Sequence, residues 1–143
     1  MPTAQEQIDQ LEPLRRLGVQ VVDETPNLLR VRMPLAGNAN HFGAMYAGSI
    51  FTLAEFPFGA LFVQHFPLTE FVPVIGELTI RYLSPVIADL YVTVEVTNEE
   101  WDQIRTEANA SGKAKLIRSL ELKDEADNVK AIASATYFAL PGA

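Results

Sequence analysis

The hydrophobic pattern of the chain is organised around one long apolar stretch, residues 40–66, which predicts a buried helix. Hydrophobic residues occur on nearly all sides of this helix, so it has no face suited to water. Most of the flanking sequence instead alternates between hydrophobic and polar positions, as half-buried β-strands do. We therefore expect a β-sheet that wraps around the helix, which begins near Met45 or Tyr46 and is kinked by Pro57.

The segments on either side of this helix predict the remaining elements. Residues 3–17 carry hydrophobic side chains at helical spacing between Thr3, a suitable N-cap, and Gly18, a suitable stop, so we expect an amphipathic helix. Alternating or β-branched segments predict a hairpin and four further strands. A second surface helix is expected where Asn98, as its N-cap, precedes two glutamates. The expected strands span residues 18–24, 28–35, 71–86, 89–98, 113–123 and 129–140, and the second helix spans residues 98–112.

Composition narrows the class of protein. A chain of 143 residues that is 48% hydrophobic, with no low-complexity tract, fits one globular domain over residues 1–143. The net charge of −7 argues against nucleic-acid and anionic-membrane partners, which require a basic surface. The N-terminus has no signal-peptide pattern, and the longest apolar run is interrupted by Glu55 and Pro57, so no membrane span is expected. We therefore expect a soluble protein of the cytoplasm.

Glu55 is the only carboxylate in the apolar stretch. An ionised carboxylate in an apolar interior is costly unless it is paired, hydrogen-bonded or neutralised. Helical spacing places it in a stripe of mostly small and polar residues, Gly48, Thr52, Glu55, Gly59 and Phe62. This stripe leaves room for a thin ligand, although a buried acid satisfied by a backbone group or by a partner chain would fit the same pattern.

Familiar catalytic and metal-binding patterns are absent from the sequence. It contains no cysteine, so thiol nucleophiles, disulfides and cysteine metal ligands are excluded. Its two histidines, His41 and His65, form no H-E-x-x-H motif and fit polar positions in a loop and at a helix end, so no metal site is expected. Ser49 lacks the G-x-S-x-G context of a nucleophile elbow.

One remaining constellation joins the start of the central helix to its carboxylate. The first turn of a helix carries unpaired N–H groups and a positive dipole end, which together can hold a carbonyl oxygen that gains negative charge. A carboxylate further along the helix could activate water or attack directly. These are the parts that hydrolysis of an acyl ester or thioester requires. The residues of the constellation are Asn40, Tyr46, Ala47, Gly48 and Glu55.

The order of elements and this constellation resemble the hotdog-fold thioesterases, in particular the phenylacetate-pathway type of acyl-CoA thioesterase. The family motif, N-x-x-G-x-x-H-G-G-x-x-x-x-L-x-D, aligns without a gap with Asn40, Gly43, Tyr46, Ala47, Gly48, Leu53 and Glu55. Residues 77–85 also resemble the strand that follows the helix in that family, and the helix over residues 98–112 is similar to a less characterised thioesterase branch. The resemblance implies an α+β hotdog fold, in which an antiparallel sheet wraps around a long central helix.

The resemblance also implies roles for individual residues. Asn40 would orient water or the acyl group, and the backbone N–H near Ala47 would polarise the thioester carbonyl. Glu55 would be the general base or the nucleophile, and Tyr46 could donate a hydrogen bond through its hydroxyl. Residues beside the substrate or able to bind the coenzyme phosphates would be Gly48, Thr52, Arg81, Arg30, Arg32 and Arg118.

Partners follow from the same resemblance. Coenzyme A would enter as part of the acyl-CoA substrate, and no separate cofactor is implied. In this fold two subunits join their sheets edge to edge and build each site across the interface, which implies a homodimer or a dimer of dimers. Glu55 would then face the partner chain. Aromatic residues of the central helix would suit a hydrophobic or aromatic acyl group, although core or interface packing is their commoner role: Phe51, Phe56, Phe58 and Phe62.

Two other functions fit parts of the pattern. Tyr46, Ala47 and Ile75 stand where active relatives carry other residues, so the chain could instead be a non-catalytic acyl-CoA- or lipid-binding hotdog protein. A hotdog dehydratase would pair its acid with a histidine shortly downstream, which Glu55 lacks. Hydrolysis of an acyl-CoA thioester is therefore the function that the sequence predicts first.

Overall fold

A computed structural model describes residues 2–142 of the chain and shows a mixed α+β architecture. Over these residues, six strands form one antiparallel sheet and five helices accompany it. The helices are α1 (Ala4–Gln10), α2 (Glu12–Leu17), α3 (Ala47–Glu55), α4 (Pro57–Phe62) and α5 (Asn98–Ser111). The strands are β1 (Gln20–Thr25), β2 (Leu28–Met33), β3 (Phe71–Tyr82), β4 (Leu90–Glu95), β5 (Ala114–Lys123) and β6 (Val129–Pro141). Each expected strand is present, and β3 ends at Tyr82 rather than at residue 86.

The strand order in the sheet is β1-β2-β4-β5-β6-β3, so β1 and β3 form its two edges. β3 is 12 residues long and pairs with β6 along nearly its whole length, with a bulge between Ile75 and Glu77. Its other edge has no strand neighbour within the described part of the subunit. Such an edge offers unpaired backbone groups to a second strand.

The sheet opens between β4 and β5, which are joined at one residue pair, Tyr91 and Lys123. Arg118 lies in this opening and donates to the Glu95 carbonyl at 3.0 Å. It also forms an ion pair of 2.6 Å with Glu100, in the first turn of α5. Arg118 is thus engaged in fixing α5 to the sheet.

One face of the sheet is buried against α3 and α4. Buried positions alternate with more accessible ones along β2 and β6, and along β4 from Val92 onward. The buried residues of these strands include Leu29, Val31, Met33, Leu90, Val92, Val94, Ala131, Ala133 and Ala135. The helices contribute Leu53, Ala54, Phe58, Leu61 and Phe62 to the same core. Phe51 of α3 is 42% exposed, so one side of the central segment stays open in the subunit.

The central helix is interrupted at the predicted kink, where Phe56 keeps helical dihedral angles, φ −83° and ψ −26°, between two helical segments. The predicted single helix is two helices, α3 and α4, which meet at Phe56, and α4 ends at Phe62 rather than at Phe66. Pro57 has no N–H to donate to the carbonyl of Leu53, so it ends α3 and starts α4 at a position where no donor is needed. The break follows directly after Glu55.

The N-terminal helix is also two helices. The prediction of one helix over residues 3–17 is wrong at Leu11, whose backbone is extended with φ −97° and ψ 108°. Pro13 explains the break, because its ring cannot donate to the carbonyl of Asp9. Arg15 donates to that carbonyl instead, at 3.0 Å. Thr3 is the N-cap of α1, as predicted, since its hydroxyl accepts from the N–H of Glu6.

The surface helix α5 is capped one residue earlier than the sequence predicts. Thr97, not Asn98, is the N-cap, and its hydroxyl accepts from the N–H of Glu100 at 3.1 Å. The Glu100 carboxylate accepts in return from the N–H of Thr97, which completes a capping box. The helix ends at Gly112 in the left-handed region, as expected.

Candidate active site

The loop before α3 is anchored by a buried polar residue, Asn38. Its side-chain NH₂ donates to the carbonyls of Leu17 and Pro34, both at 2.8 Å, and its side-chain oxygen accepts from the hydroxyl of Ser49 at 2.8 Å. Its backbone carbonyl accepts from the N–H of Tyr46 at 2.8 Å. Sequence reasoning missed this residue. These bonds fix where α3 begins.

Asn40 shapes the same loop. Its side-chain oxygen accepts from the N–H groups of Phe42 and Ala44, at 2.9 and 3.2 Å, and its backbone N–H donates to the Ala44 carbonyl at 2.7 Å. The oxygen is therefore committed to the turn. The side-chain NH₂ makes no hydrogen bond with residues 2–142, so it is the group of Asn40 that is available to a ligand.

The first turn of α3 presents two N–H groups, those of Ala47 and Gly48, that find no acceptor within the described residues. The N–H groups of Ser49 and Ile50 both donate to the Tyr46 carbonyl. The ring of Tyr46 is 61% exposed and lies across Gly48, so closely that a Cβ at Gly48 would overlap it. Glycine at this position lets the ring cover the helix start.

Thr52 lies one turn further along α3. Its hydroxyl donates to the carbonyl of Gly48 at 2.9 Å, within its own helix. Its one hydrogen is therefore used, and the oxygen can act towards a ligand only as an acceptor. Of the predicted stripe, Phe62 is fully buried, whereas Gly48, Thr52, Glu55 and Gly59 are partly exposed.

Glu55 is the last residue of α3 and is half-buried. Its carboxylate makes no hydrogen bond or ion pair with any residue in the range 2–142. Burial without a partner raises the pKa of Glu55 above its ordinary value of 4.5, because the charged form loses hydration. The buried-acid alternative, in which the subunit's own backbone satisfies the carboxylate, is not seen.

Two cavities meet at Glu55. The larger, about 310 Å³, separates the N-terminal helices from α4, and its walls are apolar apart from Gln7 and Glu55. The smaller, about 50 Å³, lies towards β3 and β6 and is lined by Ile75 and Tyr137 among others. Gly59 and Pro73 line both. Glu55 is thus placed between an apolar cleft and a space large enough for a few water molecules.

Tyr137, on β6, is a residue of this site that sequence reasoning missed. It is 2% exposed, its ring stacks on Phe58 at 4.1 Å, and its hydroxyl has no hydrogen-bond partner in the described chain. Burial, and then the nearby negative charge of Glu55, raise the pKa of Tyr137 to about 12. The alternation of β6 places Tyr137 on the inner face with four alanines, which is a signal for a tyrosine directed at the central helix.

The predicted constellation is divided within one subunit. Asn40 and Ala47 line a groove of about 670 Å³ whose wall does not include Glu55. Along α3, the step from Ala47 to Glu55 is about 12 Å at the rise of an α-helix. Arg81 is exposed on the outer face of β3 and lines neither cavity that contains Glu55. One subunit therefore does not bring these residues onto a single thioester.

Residues 2–142 contain neither a metal-ligand cluster nor a helix that could span a membrane. No group of three or more histidine, aspartate or glutamate side chains is arranged to hold a metal ion there. Over the same residues, no helix has the length and apolar character needed to cross a bilayer.

Residues 3–139 match the model of a protein family described as "Putative thioesterase (yiiD_Cterm)". No protein of curated function matches the chain. Among solved structures, a Pseudomonas aeruginosa protein of unknown function, described as a probable thioesterase, is 38% identical to it. The match covers 96% of this chain and 93% of that one, with a TM-score of 0.90.

Two solved structures of lower identity share the architecture. The PaaI protein from the phenylacetic acid degradation operon of Escherichia coli is 18% identical, with 98% and 92% of the two chains covered and a TM-score of 0.72. A thioesterase from Haemophilus influenzae is 12% identical, with 99% and 92% covered and a TM-score of 0.73. These likenesses concern the fold, and they confirm the predicted hotdog architecture.

Proposed function

The chain belongs to the yiiD C-terminal family of thioesterases, and we propose that it hydrolyses acyl-CoA thioesters with a hydrophobic acyl group. Glu55 takes a proton from water as the water oxygen attacks the thioester carbon. The carbon–sulfur bond then breaks, and the proton passes to the coenzyme thiolate. In the direct-attack version, the Glu55 carboxylate attacks the thioester carbon, the carbon–sulfur bond breaks, and the coenzyme leaves as a thiolate. Water then hydrolyses the resulting mixed anhydride, which releases the acid, regenerates Glu55 and supplies the proton that the thiolate takes up.

The observation that carries this proposal is the unpartnered carboxylate of Glu55 at the junction of two cavities. A general base works best when its pKa lies near the working pH, and burial moves the pKa of Glu55 in that direction. The apolar cleft offers a place for the acyl group and the smaller cavity a place for water. Hydrolysis needs both beside the same carboxylate.

The helix start completes the site if two subunits contribute to it. The free N–H groups of Ala47 and Gly48 suit a carbonyl oxygen that gains charge, yet they lie about 12 Å from Glu55 of the same α3. Pairing two copies along the free edge of β3 would bring one helix start towards the other Glu55. Exposed apolar side chains beside that edge, Tyr46, Phe51 and Tyr82, favour such a homodimer or a dimer of dimers.

The coenzyme phosphates require basic partners, and Arg81 is the candidate whose side chain is not engaged elsewhere in the described chain. Arg118 is engaged with Glu100, Arg32 approaches Asp89 at 3.9 Å, and Arg30 stacks over the ring of Tyr91. Arg81 is exposed and forms no ion pair within residues 2–142. Coenzyme A is part of the substrate in this scheme, which adds no further cofactor, and the cytoplasm is the compartment where such a substrate would be met.

A second function is favoured by one observation, the position of the Tyr46 ring. The ring covers Gly48 at the helix start, where a thioester carbonyl would have to approach. If the ring stays there, the protein binds an acyl-CoA or a lipid without hydrolysing it. If the ring swings aside, its hydroxyl is placed to donate a hydrogen bond to the substrate.

The test is hydrolysis of acyl-CoAs with short, medium, long and aromatic acyl groups. We expect turnover by the wild type and a loss of at least about 100-fold in kcat/KM for Glu55→Gln, since general-base catalysis contributes at least that much. Glu125→Gln is the matched control, because Glu125 lies exposed in the turn between β5 and β6. It should keep full activity.

The two functions give different results in this assay. Background rates in both the wild type and Glu55→Gln, with measurable binding of acyl-CoA, would support the non-catalytic function. Turnover of more than about one per second, within the range of ordinary enzymes, would exclude it.

A further inference from the structure

The cleft between the N-terminal helices and α4 has the composition of a site for an apolar chain. One wall consists of Ile8 of α1, Leu11 at the break and Leu14 of α2. The opposite wall includes Ala60 of α4 and Val63, which follows that helix. Its volume of about 310 Å³ is at the lower end of the range for small-molecule sites. Such a volume suits an acyl chain of medium length better than a long one.

Two polar side chains, Gln7 and Glu55, line the cleft, and they differ in how they are bonded. The side-chain NH₂ of Gln7 donates to the carbonyl of Ala60 at 3.1 Å, which ties α1 to α4. Glu55, in contrast, has no partner within residues 2–142. An occupant that is apolar along its length and has a reactive carbonyl at one end matches this distribution.

The N-terminal helices are held in place, so the cleft exists before a ligand binds. Ala4 and Ile8 are buried to within 1% exposure, and the Ala4 N–H donates to the Glu24 carboxylate at 3.1 Å. The side-chain oxygen of Gln5 accepts from the N–H of Val21 at 2.8 Å. A preformed wall reduces the ordering cost of binding.

The break between α1 and α2 shapes the mouth of the cleft. Leu11 lies at the break and is 53% exposed, and Leu68 on the other side is 50% exposed, although both line the cleft. Two leucines left in contact with water at the rim of an apolar cavity gain buried area when an apolar chain occupies it. The mouth is therefore the place where chain length would be sensed.

We propose that this cleft, walled by α1 and α2, binds the acyl group of the substrate, a medium-length aliphatic chain whose carbonyl end lies at Glu55. This inference rests on the proposed function in naming the ligand as an acyl-CoA. It adds that the N-terminal helices, rather than the groove at the start of α3, set the acyl-chain specificity.

The test is binding, so that it does not depend on turnover. Isothermal titration would measure the Kd of non-hydrolysable thioether analogues of acetyl-, octanoyl- and palmitoyl-CoA for the wild type, Leu11→Trp and Ile117→Trp. Leu11→Trp fills the mouth of the cleft. Ile117 is 59% exposed on β5 and lines none of the cavity that contains Leu11, so Ile117→Trp controls for an added surface indole.

We expect the octanoyl analogue to bind the wild type more tightly than either of the others. Leu11→Trp should weaken octanoyl binding by about ten-fold and leave acetyl binding unchanged, whereas Ile117→Trp should change neither. Any of three results would overturn the inference. Leu11→Trp could change the Kd of the acetyl and octanoyl analogues equally, it could change neither Kd, or Ile117→Trp could weaken octanoyl binding as much as Leu11→Trp does.

Failure of this inference is distinguishable from failure of the proposed function. If the wild type hydrolyses acyl-CoAs while Leu11→Trp shows no chain-length effect, the cleft assignment is wrong and the thioesterase remains. If no hydrolysis occurs while the chain-length effect on Kd is present, the cleft assignment holds and the protein is a binder.

Discussion

Two pairs of polar residues lie at the two ends of α3, and they differ in how their hydrogen bonds are used. Asn38 and Ser49, at the start of α3, bond to each other and to carbonyls of two other segments. Glu55 and Tyr137, at its end, have no hydrogen-bond partner in the described chain. The first pair has the pattern of a structural anchor. The second leaves polar groups in an apolar setting at a cost in stability, as functional sites often do.

The largest effect expected from this comparison is on folding. Asn38→Ala removes three side-chain hydrogen bonds and leaves the part-buried carbonyls of Leu17 and Pro34 without this donor. We expect the free energy of unfolding to fall by about 3 kcal/mol, measured by urea denaturation at a fixed protein concentration.

Ser49→Ala is the graded control for the same anchor. It removes one of these hydrogen bonds, to the Asn38 oxygen, and should cost about 1 kcal/mol. A loss below about 1 kcal/mol for Asn38→Ala would show that the loop does not depend on this residue, and the contrast between the two pairs would then fail.

At Tyr137 we expect the free energy of unfolding to change in the opposite direction. Tyr137→Phe removes a buried hydroxyl that has no partner and keeps the ring stacked on Phe58. Relief of the unpaired group should raise the free energy of unfolding by about 1 kcal/mol, measured by the same denaturation. If the hydroxyl helps to position Glu55 or its water, kcat/KM should fall at the same time, by about ten-fold.

A gain in stability with a loss of activity is the signature of a polar group kept for function. A structural hydroxyl would behave otherwise: Tyr137→Phe would lose stability and leave kcat/KM unchanged. That outcome would move Tyr137 into the same class as Asn38.

Sequence reasoning found the parts of this molecule that depend on local pattern. The alternation from Leu90 to Val96 and the helix stop at Gly112 are local signals, and both are confirmed. The isolated charge of Glu55 was also visible, because one carboxylate in an apolar stretch needs no tertiary information to be noticed.

The parts that it missed depend on contacts between distant segments or on the break that Pro13 causes in the N-terminal helix. Tyr137 is a site residue only because β6 passes beneath the end of α3, and Asn38 is an anchor only because Leu17 and Pro34 come together in space. Pro57, in contrast, predicted the kink between α3 and α4. The break at Leu11 was missed because the effect of Pro13 was not considered: its ring cannot donate to a carbonyl of the preceding turn.

The smallest expected effect is the pH dependence of stability at Glu55. Its pKa in the folded protein is raised by burial, so between the unfolded and folded pKa values the native state binds more protons than the unfolded state. Stability therefore falls as the pH rises through this window, which starts near the ordinary value of 4.5. Glu55→Gln removes that fall. Relative to the wild type, the variant should be more stable at pH 7 and should lose this advantage below about pH 4.

Glu100 supplies the control, because its contribution to stability changes with pH in the opposite direction. A hydrogen bond from Arg118 lowers the pKa of Glu100, so the ionised form contributes stability above the unfolded pKa that is lost as the pH falls through the folded pKa. Glu100→Gln should accordingly be less stable than the wild type at pH 7, with the difference shrinking in acid. Both variants are followed by thermal unfolding from pH 3 to pH 8. If Glu55→Gln instead loses stability at pH 7, as Glu100→Gln does, the Glu55 carboxylate is paired in solution, most simply by a partner subunit. The two ends of α3 would then no longer differ in whether their polar groups have partners.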